Sequence, residues 1–338
     1  DALPIFLGLF VGAVRSNLEI PAPVAKFLSL YLLMALGFKG GQALSSTGIT
    51  GEAIKVILIG LVLALAMPAL GFAVLRSRIN PFDAAAISAT YGSVSAVTFI
   101  AATQFVADRG DEAGGYLTVA LVLMESPAII MAVLLATWTR ARLQSEAPTE
   151  AGMVTAGVGG AQASGAATTA IEPNPMPIKA ILHEAFTDGA HLLLIGSLVV
   201  GAVSGPAGGE TMAPFVDGIF KGLLAFFLLE MGLLVARQLR EVRDVGPFLV
   251  GFGIVMPLIG AAMAFTLGSI AGLAVGDLAM LAVLAASGSY IVVPAVVRYA
   301  IPEARPSRYF TMALAVTFPF NIVIGIPLYY AVAQQLGA

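Results

Sequence analysis

The chain has 338 residues, of which 59% are hydrophobic and 11% are charged, and its net charge is −3. Soluble proteins carry roughly 25% charged residues, so this composition indicates an integral membrane protein. The small negative charge gives no reason to expect a nucleic-acid partner. The sequence has no cysteine, which excludes disulfides, thiolate catalysis and cysteine-ligated metals. Its two histidines, His183 and His191, are too few and too badly placed for a histidine metal site.

Ten apolar stretches follow one another along the chain, and a membrane-spanning helix needs about 20 mostly apolar residues. In chain order they are residues 2–15, 22–45, 52–76, 82–107, 113–139, 185–203, 212–236, 246–272, 276–299 and 307–335. We therefore predict an all-α integral membrane protein with ten transmembrane helices, surrounded by membrane lipid.

A polar stretch, residues 143–179, separates the fifth apolar stretch from the sixth. It is rich in Ala, Gly, Thr, Ser and Pro and has no large apolar periodicity, so it cannot bury a core of its own. The pattern predicts a flexible cytoplasmic linker between a first unit of residues 1–142 and a second unit of residues 180–338.

The two units repeat the same short sequences in the same order. Residues 67–73 (MPALGFA) return as residues 256–262 (MPLIGAA), and residues 116–121 (YLTVAL) return as residues 309–314 (YFTMAL). Offsets between matching positions stay between 189 and 196 residues along the chain. Because each unit holds five crossings, an odd number, the second unit must enter the membrane upside down. The sequence therefore predicts two inverted five-helix repeats, an organisation typical of secondary transporters.

The distribution of Lys and Arg predicts the orientation in the membrane. Thirteen of the 17 lie in loops after the first, third, fifth, seventh and ninth stretches. Positive charge collects on the cytoplasmic side, so these loops are expected there. Both termini then face outward, the linker faces the cytoplasm, and the expected location is the plasma (inner) membrane.

The fourth and ninth stretches each contain a small polar segment in an otherwise apolar sequence. Residues 89–98 read ATYGSVSAVT and residues 285–294 read AASGSYIVVP. Glycine and serine allow a helix to unwind, Pro294 removes a backbone donor, and unwound backbone within a membrane must line a cavity. We predict two broken helices that cross near the membrane midplane. Their exposed N-termini would offer roughly one unit of positive charge to a small anion.

These segments supply most of the candidate site residues. The expected substrate-binding residues are Gly92, Ser93, Val94, Ser95, Gly288, Ser289 and Tyr290. The expected cation-binding residues are Ser95, Thr98, Ser287, Glu125 and Glu230. The two glutamates are included because a carboxylate within a membrane span is costly and is a functional candidate by default. The alternatives are that the small residues only allow close helix packing and that the acids are structural.

Four acids, Asp83, Asp188, Asp217 and Asp277, fall near the ends of predicted helices. Capping or solvation is the expected role for all four. No metalloprotease motif, phosphate-binding loop or nucleophile–base pair is evident in the sequence, so an enzyme is not expected.

Several short runs resemble the sodium-dependent bicarbonate symporter family known from cyanobacteria. They are Ile20-Pro21, residues 37–41, Val94-Ser95 with Thr98, residues 124–127, residues 230–232, residues 285–289, Arg298 with Ile301-Pro302, and residues 326–328. The resemblance covers nearly the whole chain except the linker. The chain differs from the family pattern at Ala96, Val97, Tyr290, Val292 and Val293, where the family tends to carry Gly, Ser or Asp.

The resemblance implies a homotrimer in which a core part moves against a gate part. It also implies bicarbonate at the crossing of the broken helices, Na⁺ beside it as the coupling ion, no other cofactor, and a PII-type regulatory protein on the cytoplasmic face. We therefore expect a secondary transporter that imports a small anion, most simply bicarbonate, by sodium symport with alternating access. The alternatives are a sodium–proton exchanger, a transporter of another small anion, and a membrane sensor that binds an anion without flux.

Overall fold

The computed structural model describes residues 3–146, 183, 187 and 189–337, and the described chain contains helices but no strand. The helices are α1 (Leu3–Ala13), α2 (Ala22–Thr47), α3 (Gly51–Leu75), α4 (Pro81–Gly92), α5 (Ala96–Ala107), α6 (Tyr116–Glu146), α7 (Gly189–Ala213), α8 (Phe220–Gln238), α9 (Val242–Val245), α10 (Pro247–Ala271), α11 (Val275–Ala286), α12 (Val292–Ala300), α13 (Pro306–Thr311), α14 (Phe318–Phe320) and α15 (Ile326–Gly337). One-turn π-helices connect some of them, at Pro214–Gly218, Met312–Thr317 and Asn321–Gly325.

Within the described residues, seven helical stretches are long and apolar enough to cross a membrane, and two shorter helices are also apolar. The shorter ones are α1 and α11. Many large apolar side chains on these helices are exposed, as expected for surfaces that face lipid rather than water.

Two predicted boundaries differ from the structure. Helix α6 continues to Glu146, so the first residues of the predicted linker are helical, and residues 147–179 of the linker lie outside the described residues. The loop expected after residue 203 is instead helical up to Ala213, with a kink at Gly205, whose φ is 59°. Glycine adopts this left-handed backbone readily, and Pro206 directly after it cannot continue the hydrogen-bond ladder.

The helices form two bodies, judged by which of them pack together. In the four-helix body, α2 packs along α7 and α1 packs along α8. The remaining helices form the core body, in which α3 packs on α4 and α6 while α10 packs on α11. Small residues allow close approach within the four-helix body, because a side chain at Gly8 would overlap the backbone of α8 and one at Gly201 the backbone of α2.

Within the core body, two buried aspartates each connect the first unit of the chain, residues 1–142, to the second unit, residues 180–338. Asp83, at the start of α4, accepts hydrogen bonds from the backbone N–H of Arg305 (2.8 Å) and from the guanidinium of Arg308 (3.0 Å). Asp277, near the start of α11, accepts from the backbone N–H of Gly114 (2.7 Å) and from the hydroxyl of Tyr116. The expectation that these acids only cap helices or face solvent is wrong, since both are buried and each binds the other unit.

Candidate substrate and cation site

The first break in the chain separates α4 from α5. Helix α4 ends at Gly92, Ser93 and Ser95 have extended backbone, and α5 begins at Ala96. The hydroxyl oxygen of Ser95 accepts hydrogen bonds from the backbone N–H of Thr98 (3.2 Å) and from its hydroxyl (2.9 Å). Ser95 therefore caps the N-terminus of α5 with its own side chain, as serine commonly does.

The second break separates α11 from α12 and is longer. Helix α11 ends at Ala286, the chain is non-helical up to Ile291, and α12 begins at Val292. Ile291 precedes α12 and supplies no side-chain cap. The hydroxyl of Ser289 accepts a longer hydrogen bond, 3.3 Å, from the backbone N–H of Val293.

The two breaks lie against each other. The backbone N–H of Ser289 donates to the carbonyl of Thr90 (2.9 Å), and the backbone N–H of Ser95 donates to the hydroxyl of Ser287 (3.0 Å). The hydroxyls of Ser95, Thr98 and Ser287 are all buried and form a compact polar cluster, called here the hydroxyl cluster. The structure thus brings together residues that are almost 200 positions apart in the sequence.

A small cavity of about 40 Å³ lies beside the breaks. A buried water needs roughly 10–15 Å³ of such space, so the cavity has room for a few waters or a small ion. Among the predicted substrate residues, Val94, Ser95, Ser289 and Tyr290 line it. Gly92, Ser93 and Gly288 belong to the breaks without lining the cavity. The Ser93 hydroxyl is buried and has no hydrogen-bond partner within the described residues.

A carboxylate and an imidazole also line the cavity. Glu125 of α6 and His191 of α7 form a buried hydrogen-bonded pair, with 2.7 Å between Oε2 and Nδ1. Glu125 belongs to the core body and His191 to the four-helix body, so the pair spans the contact between them. The sequence predicts Glu125 as a site residue but not His191, because the two histidines are considered there only as metal ligands. The position of His191 inside an apolar stretch is the signal that could have identified it.

The comparison with known families identifies the family of the chain. The model of the Na⁺-dependent bicarbonate transporter superfamily matches residues 2–334, which is nearly the whole chain. The chain belongs to this superfamily. No curated protein sequence matches it at a significant level. The family match and the apolar helices identify it as a multi-pass membrane transporter, and the resemblance noted in the sequence is confirmed.

Glu230 lies apart from the other candidates in this transporter. It is buried on α8, and its Oε2 has no hydrogen-bond partner in the described part of the chain. It does not line the cavity, although the neighbouring Met231 contacts the hydroxyl of Tyr290 through its sulfur (3.9 Å). Glu230 is thus outside the cavity lining, and cation binding by this residue stays a prediction.

A second, larger cavity of about 600 Å³ opens on one side of the breaks of the transporter. Arg298, Glu241 and Gln238 give it a polar wall. Tyr290 and Ile291 line both this vestibule and the small cavity, so they form the partition between the two. The ring of Tyr290 is held edge-on against Phe318, with 5.6 Å between the ring centroids. The side chains of Tyr290 and Ile291 thus separate the small cavity from the larger one.

Proposed function

We propose that this member of the superfamily imports bicarbonate together with Na⁺, and that the anion binds in the small cavity between the two breaks. The single observation that carries the proposal is that both breaks, from opposite units of the chain, line one buried cavity of the size of a small ion. The family supports the same substrate and coupling ion.

The anion end of the proposed site is the N-terminus of α12 together with that of α5. A helix N-terminus presents unpaired N–H groups and about half a positive charge. Ile291 offers no side-chain cap and the hydroxyl of Ser289 accepts only a long hydrogen bond from the backbone N–H of Val293 (3.3 Å), so the start of α12 offers N–H groups to a bound anion. Ser289 and Ser95 line the cavity and add hydroxyls to these backbone donors.

The cation end of the proposed site is the hydroxyl cluster. Ser95, Thr98 and Ser287 place three neutral oxygens at the crossing of the breaks, and carbonyl groups of unwound backbone commonly complete Na⁺ sites in transporters. Glu125 is not part of this end, because its carboxylate pairs with His191.

Co-transport with Na⁺ has a direct electrostatic benefit. Moving one negative charge into a cell that is negative inside costs about 2.3 kcal/mol per 100 mV. One Na⁺ bound beside one bicarbonate cancels this charge, so that the sodium gradient can drive accumulation of the anion.

The proposed topology is two inverted five-helix repeats with ten crossings. The contacts of Asp83 and Asp277 support it, because these acids occupy corresponding positions of the two repeats. Each binds the start of the last long helical segment of the opposite repeat, α13 for Asp83 and α6 for Asp277. Such exchanged contacts are expected from two copies related by a twofold axis in the membrane plane.

The proposed transport cycle moves the core body against the four-helix body. The vestibule contains Arg298 and lies near Arg305 and Arg308, on the side that the Lys and Arg distribution assigns to the cytoplasm. We therefore take this state as inward-facing, with Tyr290 and Ile291 as the last barrier to release. Location in the plasma (inner) membrane, outward-facing termini, the homotrimer and the PII-type partner remain proposals that come from the sequence.

The direct test is uptake of labelled bicarbonate into proteoliposomes that contain the purified transporter. We expect uptake against the bicarbonate gradient when Na⁺ is high outside, and loss of that accumulation when K⁺ replaces Na⁺. Uptake that is the same in both salts would contradict symport with sodium.

Two further readings of the same vesicles separate the alternatives. Counterflow of labelled bicarbonate against unlabelled bicarbonate distinguishes a transporter from a sensor, since a sensor binds without exchange. A pH dye inside vesicles without bicarbonate distinguishes a sodium–proton exchanger, which would change the internal pH when Na⁺ is added.

A further inference from the structure

The small cavity has walls from both bodies of the molecule. Ser95 and Ser289 come from the breaks in the core body, whereas His191 and Leu194 come from α7 in the four-helix body. An anion in the cavity would therefore touch both bodies at once. Of the side chains that line the cavity, those of Glu125 and His191 are the acid and the base that can carry a charge near neutral pH.

A carboxylate in the wall of an anion site creates an electrostatic problem. Like charges in a site of low dielectric repel strongly, so an unpaired Glu125 would exclude a bound anion. A protonated imidazole at His191 removes this problem, because its Nδ1 lies 2.7 Å from the carboxylate and both groups are buried. The pair then has no net charge, and the helix N-termini of the breaks can dominate the local potential.

Glu125 also fixes the orientation of the histidine ring. A carboxylate bound to one ring nitrogen holds the ring in place and directs the opposite edge of the ring away from the carboxylate. The Nδ1 of His191 faces Glu125, and the ring is part of the cavity wall. This arrangement suits a histidine that contacts a ligand and a glutamate that positions it.

We infer that His191 is a substrate-contacting residue contributed by the four-helix body, and that Glu125 is its positioning residue rather than a cation ligand. The cavity of about 40 Å³ favours a small anion, and the bicarbonate of the proposed function is a singly charged, planar example with four heavy atoms. The breaks bind one edge of this anion and His191 binds the other. The identity of the anion as bicarbonate rests on the proposed function, whereas the contact with His191 does not.

The test measures binding and transport separately in three single variants. His191→Gln removes the imidazole, Glu125→Gln removes the positioning charge, and His183→Gln is the matched control, since His183 is exposed and lies outside the cavity lining. Binding is measured as the rise in the thermal unfolding midpoint of detergent-solubilised protein on addition of bicarbonate, nitrate, formate or acetate. Transport is measured as the KM for bicarbonate and the KM for Na⁺ in proteoliposomes.

We expect His191→Gln to raise the KM for bicarbonate about tenfold or more, the effect of losing one hydrogen bond to a charged group. The KM for Na⁺ should stay within about twofold of wild type, since that hydrogen bond is made to the anion. Glu125→Gln should give a smaller rise in the KM for bicarbonate, and His183→Gln should give none. A lower Vmax with an unchanged KM for bicarbonate would show a structural role for His191 and overturn the inference.

A variant that does not accumulate in the membrane is replaced by the double variant Glu125→Gln/His191→Gln. Two amides of similar shape then replace the ion pair, no buried charge is left alone, and the bicarbonate KM should still rise about tenfold or more. A double variant with the wild-type KM for bicarbonate would also overturn the inference.

The outcomes distinguish this inference from the proposed function. If wild-type vesicles show no bicarbonate uptake, but nitrate, formate or acetate stabilises wild type and not His191→Gln, the substrate is wrong and the role of His191 stands. If bicarbonate uptake depends on sodium and His191→Gln transports normally, the proposed function stands and the role of His191 is wrong. If no anion stabilises wild type and none is taken up, both are wrong.

Discussion

The first break and the second break occupy corresponding positions in the two units of the chain, yet they are built differently. The first is short and closed by its own residues, since the hydroxyl of Ser95 caps the helix that follows. The second is longer, Ile291 supplies no side-chain cap, and the hydroxyl of Ser289 accepts only a longer hydrogen bond, 3.3 Å, from the backbone N–H of Val293. Its carbonyl at Ala286 is bound by the side chain of Asn321 (2.8 Å), from the π-helical part of the last long segment.

This difference suggests that the two breaks bind different ions. The first break, together with Ser287, gathers hydroxyl oxygens, which suits a cation. The second break has a longer stretch of non-helical backbone before α12, whose N-terminal N–H groups suit an anion. The two copies of the unit can thus bind ions of opposite charge side by side, because the first break supplies hydroxyl oxygens to a cation and the second supplies backbone N–H groups to an anion.

The largest expected difference between the units concerns the aspartates at the outer ends of the two broken helices. Asp83→Asn leaves Arg308 without its buried carboxylate, and breaking a buried ion pair costs about 3 kcal/mol or more of unfolding free energy. Asp277→Asn keeps an acceptor for Gly114 and Tyr116, so its cost should be about 1 kcal/mol. Thermal unfolding midpoints of the two variants check this, and equal losses would contradict the assignment.

The next effect concerns the glycines at the two breaks. A methyl group at Gly92 would overlap the ring of Pro68 in α3, whereas one at Gly288 would meet only ordinary contacts, the nearest at 3.7 Å. Gly92→Ala should therefore cost about 2 kcal/mol through overpacking. Gly288→Ala should unfold close to the wild-type temperature. If the two alanine variants are equally stable, the close packing of the first break against α3 is wrong.

A smaller effect should separate the cation end from the anion end. Ser95→Ala removes the centre of the hydroxyl cluster and one hydroxyl of the anion end, so it should raise both the KM for Na⁺ and the KM for bicarbonate about fivefold, as for loss of one neutral hydrogen bond. Ser289→Ala should raise only the KM for bicarbonate, by a similar factor. Thr103→Ala is the control, because that hydroxyl lies further along α5 and bonds the carbonyl of Phe99. Normal transport by both serine variants would remove this site.

The smallest effect concerns the loops outside the spans. Burial tends to raise the pKa of Glu303, but the hydrogen bond and charge of Arg140 outweigh it and leave this pKa below its ordinary value. A carboxyl with a lowered folded pKa stabilises the protein above its unfolded pKa, and this contribution is lost as the pH falls through the folded pKa. Glu303→Gln should therefore lower stability at pH 7 by less than about 1 kcal/mol, since the pair is partly exposed.

Asp111→Asn is the control for Glu303→Gln, because Asp111 is the counterpart of Glu303 in the first unit. Asp111 accepts a hydrogen bond from the neutral hydroxyl of Tyr330, and asparagine at this position still offers an acceptor. The stability difference between wild type and Glu303→Gln should disappear in acid, as measured by thermal unfolding at several pH values below about 4.5, the ordinary pKa of a glutamate. A difference that stays constant through this acid range would show that the charge of Glu303 is not its cause.

The positions of the breaks could be predicted from the sequence, since Gly-Ser pairs at matching places inside two apolar stretches favour an interruption of the helix. The contacts across the units could not. Asp83 and Asp277 have the sequence position of helix caps, and only the fold shows that each reaches the other unit. His191 could not be predicted as a site residue for a related reason, because its hydrogen-bond partner is a carboxylate 66 positions away in the chain. The kink at Gly205 was missed because an apolar run of small residues favours neither helix nor loop.

The central claim is that the two breaks together hold the transported anion. A cryo-EM structure of the transporter with saturating bicarbonate and Na⁺ tests it most directly. We expect density for a small planar anion in the cavity between Ser95, Ser289 and His191. Anion density at another surface while this cavity stays closed, or breaks that run as continuous helices facing lipid, would contradict the claim.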